Sequence, residues 1–253
     1  YITGYTAGLT FFIAVAATNL FHQGNWQRIY AAKNYNILKK SLIISFLIIL
    51  PIVFLMGFIG LVSFSIDPSI RPDLGFFSLL LKDQSKFLSL VVIILGLCLT
   101  ISTLDTLINA ISSLIIIDGK SFFNLKGKKD YLNISKFLII FLSIISFIIA
   151  SKGFDILYLF LLADLFCCAF VLTVFLSFFD KKIDEKTAYQ AIILGLIGGF
   201  LLFPNPDFSK SLLVGTFFSS ELFAPFITQS LLFLSFVIAT FFPLVFLKLK
   251  SLI

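Results

Sequence analysis

FLSLVVIILGLCLTISTLDTLINAISSLIIID, residues 87–118, is an unbroken apolar stretch with oxygen-bearing side chains set into its middle. Read as a helix at 100° per residue, Ser102, Asp105, Thr106, Asn109 and Ser113 fall within about 100° of one face, with Thr103 beside them. Lipid offers such a face nothing. A carboxylate at membrane depth costs about 2.5–3.5 kcal/mol even on the mildest scale. The face must therefore look onto protein, water or an ion.

The rest of the chain places this helix in a membrane. Hydrophobic residues make up 59% and charged residues 13%, against roughly 25% charged in soluble domains. Apolar runs long enough to span recur, and no dyad alternation suggests barrel strands. The expectation is an all-α, polytopic helical membrane protein forming one membrane domain over residues 1–253. Seven spans can be drawn, at 3–23, 41–64, 87–117, 134–151, 155–179, 187–203 and 222–247.

Basic residues orient these spans. One side carries fourteen of the 19 Lys and Arg, among them Arg28, Lys39, Lys40, Lys128, Lys129, Lys186, Lys248 and Lys250. The other carries Arg71, Lys82, Lys86, Lys152 and Lys210. By the positive-inside bias the first side is cytoplasmic, so the first helix enters from outside and the C-terminus lies inside. The same bias accounts for the net charge of +6 through contacts with anionic headgroups. It leaves no aromatic-interleaved basic surface for nucleic acid. The implied location is a plasma membrane, or the inner membrane of a bacterium.

The start of the chain has no charged n-region or cleavage site, so it does not read as a signal peptide. An odd number of spans beginning outside, without an initiator Met, reads as the C-terminal part of a longer chain.

The first span loses its apolar character at Thr18, Asn19, His22, Gln23, Gly24 and Asn25. Two readings fit. Either a helix unwinds within the membrane, as at transporter binding sites, or the span ends at Phe21 before an interfacial turn anchored by Trp26 and Tyr30. The loop between Ser65 and Lys86 is expected to carry a short surface or re-entrant helix at 76–81, and Lys126–Lys129 a solvated basic turn. Asp207 closes the Pro204–Asp207 turn outside the sixth span.

Hard cations such as Na⁺ are held by cages of oxygens, and Ser102 and Thr103 offer adjacent hydroxyls. The Leu99 carbonyl one turn earlier joins them if the local helix loosens, and Asp105 and Thr106 extend the surface. The competing reading is interhelical hydrogen bonding, in which Ser and Thr act as packing glue. Five polar groups on one face, one of them a carboxylate, favour an ion or substrate path. Asp164 is the second intramembrane carboxylate, expected to be protonated, to pair with Asn19 or His22, or to line a path. Tyr158 adds a hydroxyl on another face, and Cys98, Cys167 and Cys168 read as buried packing residues.

Two stretches carry a resemblance. Asn19–Lys33, with Gln27-Arg28-Ile-Tyr-Ala31-Ala32-Lys33, resembles the Gln-Arg-x-x-Ala-Ala-Lys helix of the sodium:solute symporter family. Ile101–Asp118 resembles its Ser-Thr-x-Asp-Ser-x-Leu…Ser-Ser…Asp signature, and Ala163–Cys168 is similar to a later helix in some branches. The resemblance covers the chain but only the C-terminal half of a typical member. It implies a LeuT-type inverted-repeat fold and sodium-coupled symport, not an enzyme and without a cofactor beyond the coupling ion. It puts the common sodium site on Ser102 and Thr103 with the Leu99 carbonyl, and a further sodium on Asp105 and Thr106. Thr18, Asn19, His22 and Gln23 would face the solute. Thr18 and Asn19 stand where sugar-transporting members carry aromatic residues, which favours a small polar solute such as an amino acid or urea. The remaining ligands would come from a first core helix this chain lacks, so alone it should not transport.

Two other classes compete. An intramembrane aspartyl protease would use Asp105 and Asp164, but the Gly-x-Gly-Asp setting of such enzymes is absent. A seven-helix receptor would match the span count, but the third span lacks an Asp-Arg-Tyr-like end and the last lacks Asn-Pro-x-x-Tyr.

Overall fold

A computed structural model describes residues 2–70, 74–81, 85–118, 128–180, 183–206, 208, 211 and 227–251. Within them the helices are α1 (Ile2–Phe21), α2 (Gln23–Tyr30), α3 (Tyr35–Ile66), α4 (Gly75–Leu81) and α5 (Lys86–Asp118). They continue as α6 (Lys128–Ser151), α7 (Ile156–Phe179), α8 (Glu185–Leu202) and α9 (Ile227–Ser251). Among the described residues there is no strand, only an isolated bridge between Pro204 and Ser211.

Among the described residues six helices, rather than the expected seven, are long and apolar enough to cross a membrane. They are α1, α3, α5, α6, α7 and α9. The span expected at 187–203 is helical, but Glu185, Lys186 and Gln190 occupy its first turns. The apolar run left, Ala191–Phe203, is well short of the roughly 20 residues a bilayer asks for. Of the expected loop features, Lys126, Gly127 and Asp207 lie outside the described residues, as do Lys181, Lys182 and Lys210. Lys128 and Lys129 belong to α6, which starts a turn and a half before the span drawn at 134.

The backbone groups into two compact units, residues 1–22 with 144–253 and residues 23–143. In the first unit α1, α7, α8 and α9 pack as a bundle. Its core is Ala14, Ala17, Leu161, Leu165, Cys168, Ala169, Phe203, Phe236 and Ala239. Small residues let these helices approach, as packing in lipid requires in the absence of a hydrophobic drive between them. Gly195 and Gly199, one turn apart on α8, lie against Ala239, Pro243 and Ser235 of α9. The Ser235 hydroxyl donates to the Gly199 carbonyl at 2.8 Å. Aromatic rings close the other end of the unit: Phe203 sits 5.7 Å from Tyr158 and 6.4 Å from Phe236.

Helix ends follow the side chains available to satisfy free amides. Asp155 caps α7 by accepting from the amides of Leu157 and Tyr158 at 2.8 and 3.3 Å. Gly153, at φ +67°, turns the chain between α6 and α7 in a conformation that suits glycine. Asp184 caps α8 by accepting from the Thr187 amide at 3.2 Å. Lys250 of α9 donates to the Thr187 hydroxyl at 2.6 Å and to Gln190 at 3.3 Å, tying the last turn of α9 to the first turns of α8.

The Thr187 hydroxyl, then the Thr187 amide and the nearby Lys250 ammonium, hold the Asp184 carboxyl below its ordinary range. Its folded value is depressed, so the cap's contribution is complete above the ordinary carboxylate range. It is lost as pH falls through the lower folded value. Asp184→Ala should therefore melt below wild type near neutral pH. Thermal scans in detergent should show the difference closing in strong acid.

In the second unit α4 packs on α3 and α2 packs on α5. The surface helix expected at 76–81 is α4, and it is anchored by the Ser63 and Ser78 hydroxyls, 3.0 Å apart. Asn34 caps α3 through the Ile37 amide at 2.9 Å. Large apolar residues such as Phe46, Leu47, Phe54 and Leu61 are exposed along α3, as suits a helix bathed in lipid rather than water.

Candidate functional site

On α5 the polar stripe is solvent- or partner-facing for most of its length. Ser102, Thr103, Asp105, Thr106 and Asn109 are exposed, whereas Ala110 and Ser112 are buried. The local bonding follows helix geometry, in which a Thr hydroxyl reaches the carbonyl one turn back. Thr103 donates to the Leu99 carbonyl and Thr106 to the Ser102 carbonyl, both at 2.9 Å. Asn109 donates its side-chain amide to Asp105 at 3.0 Å. The helix is unbroken here, so the Leu99 carbonyl is held by Thr103 rather than released. A cation drawing on that carbonyl would take the place of the Thr103 O–H.

The donor set is all oxygen: two adjacent hydroxyls, carbonyls one turn back, and a carboxylate kept in place by an amide. It fits a hard monovalent cation in chemistry. It is half a cage, because among the described residues every donor comes from one helix.

The C-terminal half of α5 is covered differently. Gln27 of α2 donates to the Ser113 hydroxyl at 3.0 Å, and Ser113 donates back to the Ala110 carbonyl at 2.8 Å. The Ser112 hydroxyl beside them is buried without a hydrogen-bond partner among the described residues. The motif helix carrying Gln27 and Arg28 thus packs against the lower end of the stripe.

The solute-facing residues expected on the first span do not share one surface. α1 ends at Phe21, His22 alone is non-helical, and α2 begins at Gln23. Thr18 turns into the bundle and donates its hydroxyl to Asp164 of α7. Asn19, 100° further round, is exposed and donates to the Val15 carbonyl at 2.8 Å. His22 and Gln23 are half-buried, and His22 Nδ1 has no partner among the described residues. Trp26 and Tyr30 stand 6.4 Å apart on α2, with Tyr30 exposed, as an interfacial anchor would be.

Asp164 therefore pairs with Thr18 and not with Asn19 or His22. The reason is packing: α1 turns Thr10, Ala14 and Ala17 into the bundle, and Thr18 beside them follows, whereas Asn19 is exposed. Tyr158 is buried among Phe203 and Phe208 and belongs to the aromatic closure. Of the three cysteines expected to be buried, Cys168 is buried and Cys167 half-buried, but Cys98 is exposed. A thiol on a lipid-facing helix has no reason to turn inward, since lipid is as apolar as a protein core.

The sequence reading missed the Gly195-x-x-x-Gly199 pair, although that spacing is the signature of close helix contact and was open to inspection. Compared with known proteins, the chain matches no family model, no curated protein and no solved structure.

Proposed function

We propose that this chain is part of a sodium-coupled secondary transporter that carries a small polar solute, such as an amino acid, urea or a related compound, across a plasma membrane. The reading includes a LeuT-type arrangement of helices, a cytoplasmic C-terminus and membership of the sodium:solute symporter family, on the motifs at Gln27–Lys33 and Ile101–Asp118. One observation carries it. A helix apolar and long enough to span a membrane exposes Ser102, Thr103, Asp105, Thr106 and Asn109 side by side. Lipid cannot face such a surface.

In this account Na⁺ binds at Ser102 and Thr103 with the Leu99 carbonyl, and Asp105 and Thr106 hold a further ion. A helix facing the stripe supplies the remaining ligands. Of the residues the reading gives to the solute, Thr18, Asn19, His22 and Gln23, the last three flank the end of α1, at the interruption before α2, while Thr18 is engaged by Asp164. Helix interruptions of this kind free backbone groups for ligand. Each sodium moving inward draws about 2.3 kcal/mol per 100 mV from the membrane potential. A protease needs two carboxylates sharing a proton; Asp105 is instead engaged by Asn109 and Asp164 by Thr18, which supports transport over proteolysis.

The test is solute uptake by the intact protein in liposomes, across a panel of amino acids, urea, polyamines and small carboxylates, with and without a sodium gradient. Ser102→Ala and Thr103→Ala should each raise the sodium needed for half-maximal uptake about tenfold, the equivalent of about 1.4 kcal/mol per lost oxygen ligand. Thr100→Ala, about 160° round the helix from Ser102 and outside the ligand set, should change nothing. Unaltered sodium dependence in the first two variants would sink the assignment.

A further inference from the structure

Asp164 lies deep in α7, nine residues beyond the capping Asp155, which is about 13 Å along the helix. It is 6% exposed. Among the described residues its one hydrogen-bond donor is the Thr18 hydroxyl. A carboxylate has about four acceptor sites, so an ionised Asp164 would be left largely unsatisfied in the bundle.

The helices packed around it bring no compensating cation. On α7 itself the neighbouring titratable groups are the Cys167 and Cys168 thiols. From α1 come Thr18 and, four residues on, His22 at the end of the unit. From α9 comes Thr240, whose hydroxyl donates to the Phe236 carbonyl at 2.7 Å. The lysines of α9, Lys248 and Lys250, lie at its far end, by Thr187. From α8 comes Gly199 against Leu165, while Glu185, Lys186 and Tyr189 sit in its first turns.

We propose that Asp164 and Thr18 form a proton-binding site whose occupancy sets whether α1 stays packed against α7. Bound, the proton makes one carboxyl oxygen neutral and leaves the other to accept from Thr18. Released, it leaves a charge with a single donor, and water must enter the seam. The proton arrives from hydronium and returns to water, with one O–H bond made or broken and no oxidant or reductant involved.

Around Asp164 the α1 side of the seam is small, Ala14 and Ala17 beside Thr18, while Phe21 holds the end of α1 edge-on to Phe170 of α7 at 6.3 Å. A largely apolar cavity of about 280 Å³ between α1, α7 and α9, lined by Thr10, Phe11, Leu157 and Leu161, lies in the same bundle, with Leu161 three positions before Asp164. Water drawn to a released charge would enter from this end. Linking this proton to a transport cycle rests on the transport reading above; the proton site itself does not.

Infrared difference spectra of the intact protein in lipid, between neutral and alkaline pH, test the site. Wild type should show a protonated-carboxyl stretch that Asp164→Asn abolishes and the surface variant Asp67→Asn keeps. Thr18→Val, which keeps the shape and removes the donor, should shift that band. A wild type without the band, or a band that survives Asp164→Asn, overturns the proposal. Uptake separates the two readings. Sodium-driven uptake that loses its pH dependence in Asp164→Asn supports the coupling, and an unchanged pH profile in that variant overturns it while sodium transport stands. A band lost in Asp164→Asn in a protein without sodium-driven uptake upholds the proton site and removes the transport reading.

Discussion

Gly195→Val should unseat α9 from α8 and lower the melting temperature of the protein more than any other single change considered. A Cβ at position 195 would lie 2.5 Å from Cγ of Pro243 and 2.9 Å from the Ala239 carbonyl oxygen. Neither atom can move cheaply. The proline ring is fixed to its own backbone, and the carbonyl is backbone. The contact exists because Pro243 has no N–H to offer the Ala239 carbonyl, which leaves that oxygen facing the neighbouring helix. A side chain there forces the helices apart and strips contacts from Ser235 and Ala239 as well. Overpacking costs about 1–3 kcal/mol in typical cores, and valine in this seam belongs at or above the upper end. Gly198 supplies the contrast, because it meets only side-chain atoms, Cγ2 of Ile238 at 2.7 Å and Phe242 at 3.9 Å, and no backbone. Thermal scans by size-exclusion fluorescence should show a large loss for Gly195→Val and a small one for Gly198→Ala. Equal losses would mean that the α8–α9 seam is not the tight contact described.

Phe203→Ala should come close behind, with a loss of about 3 kcal/mol, the low end for a truncated core aromatic. Phe203 is fully buried at the C-terminus of α8, where its amide caps the helix by bonding the Gly199 and Phe200 carbonyls. Its ring touches Tyr158, Phe200 and Phe236, so three helices meet on one side chain. Truncation leaves a hole that helices pinned by Gly195 and Gly199 cannot collapse into. Phe203→Leu should recover most of the stability. If the alanine variant unfolds with wild type, the aromatic cluster does not hold the bundle.

The polar face of α5 was legible because helical periodicity is local: 100° per residue places Ser102, Asp105, Thr106 and Asn109 together whatever surrounds them. The ends of α7 and the surface helix α4 were near their expected places for the same reason. The partner of Asp164 was not legible. Thr18, Asn19 and His22 are neighbours in sequence, and only the packing of Ala14 and Ala17 decides which of them turns inward. The sixth span was overdrawn because its apolar run was counted without its polar first turns, and because a glycine-rich helix buried among others looks as apolar as one in lipid. Cys98 was misjudged by applying the habits of a water-soluble core to a surface that faces lipid.

The account stands or falls on whether the α5 face holds sodium. Equilibrium binding of radioactive sodium to the purified intact protein measures this without any knowledge of the solute. Wild type and Thr100→Ala should bind sodium saturably, and the Ser102→Ala, Thr103→Ala double variant should lose that binding while remaining folded. Saturable binding of equal strength in the double variant would contradict the account.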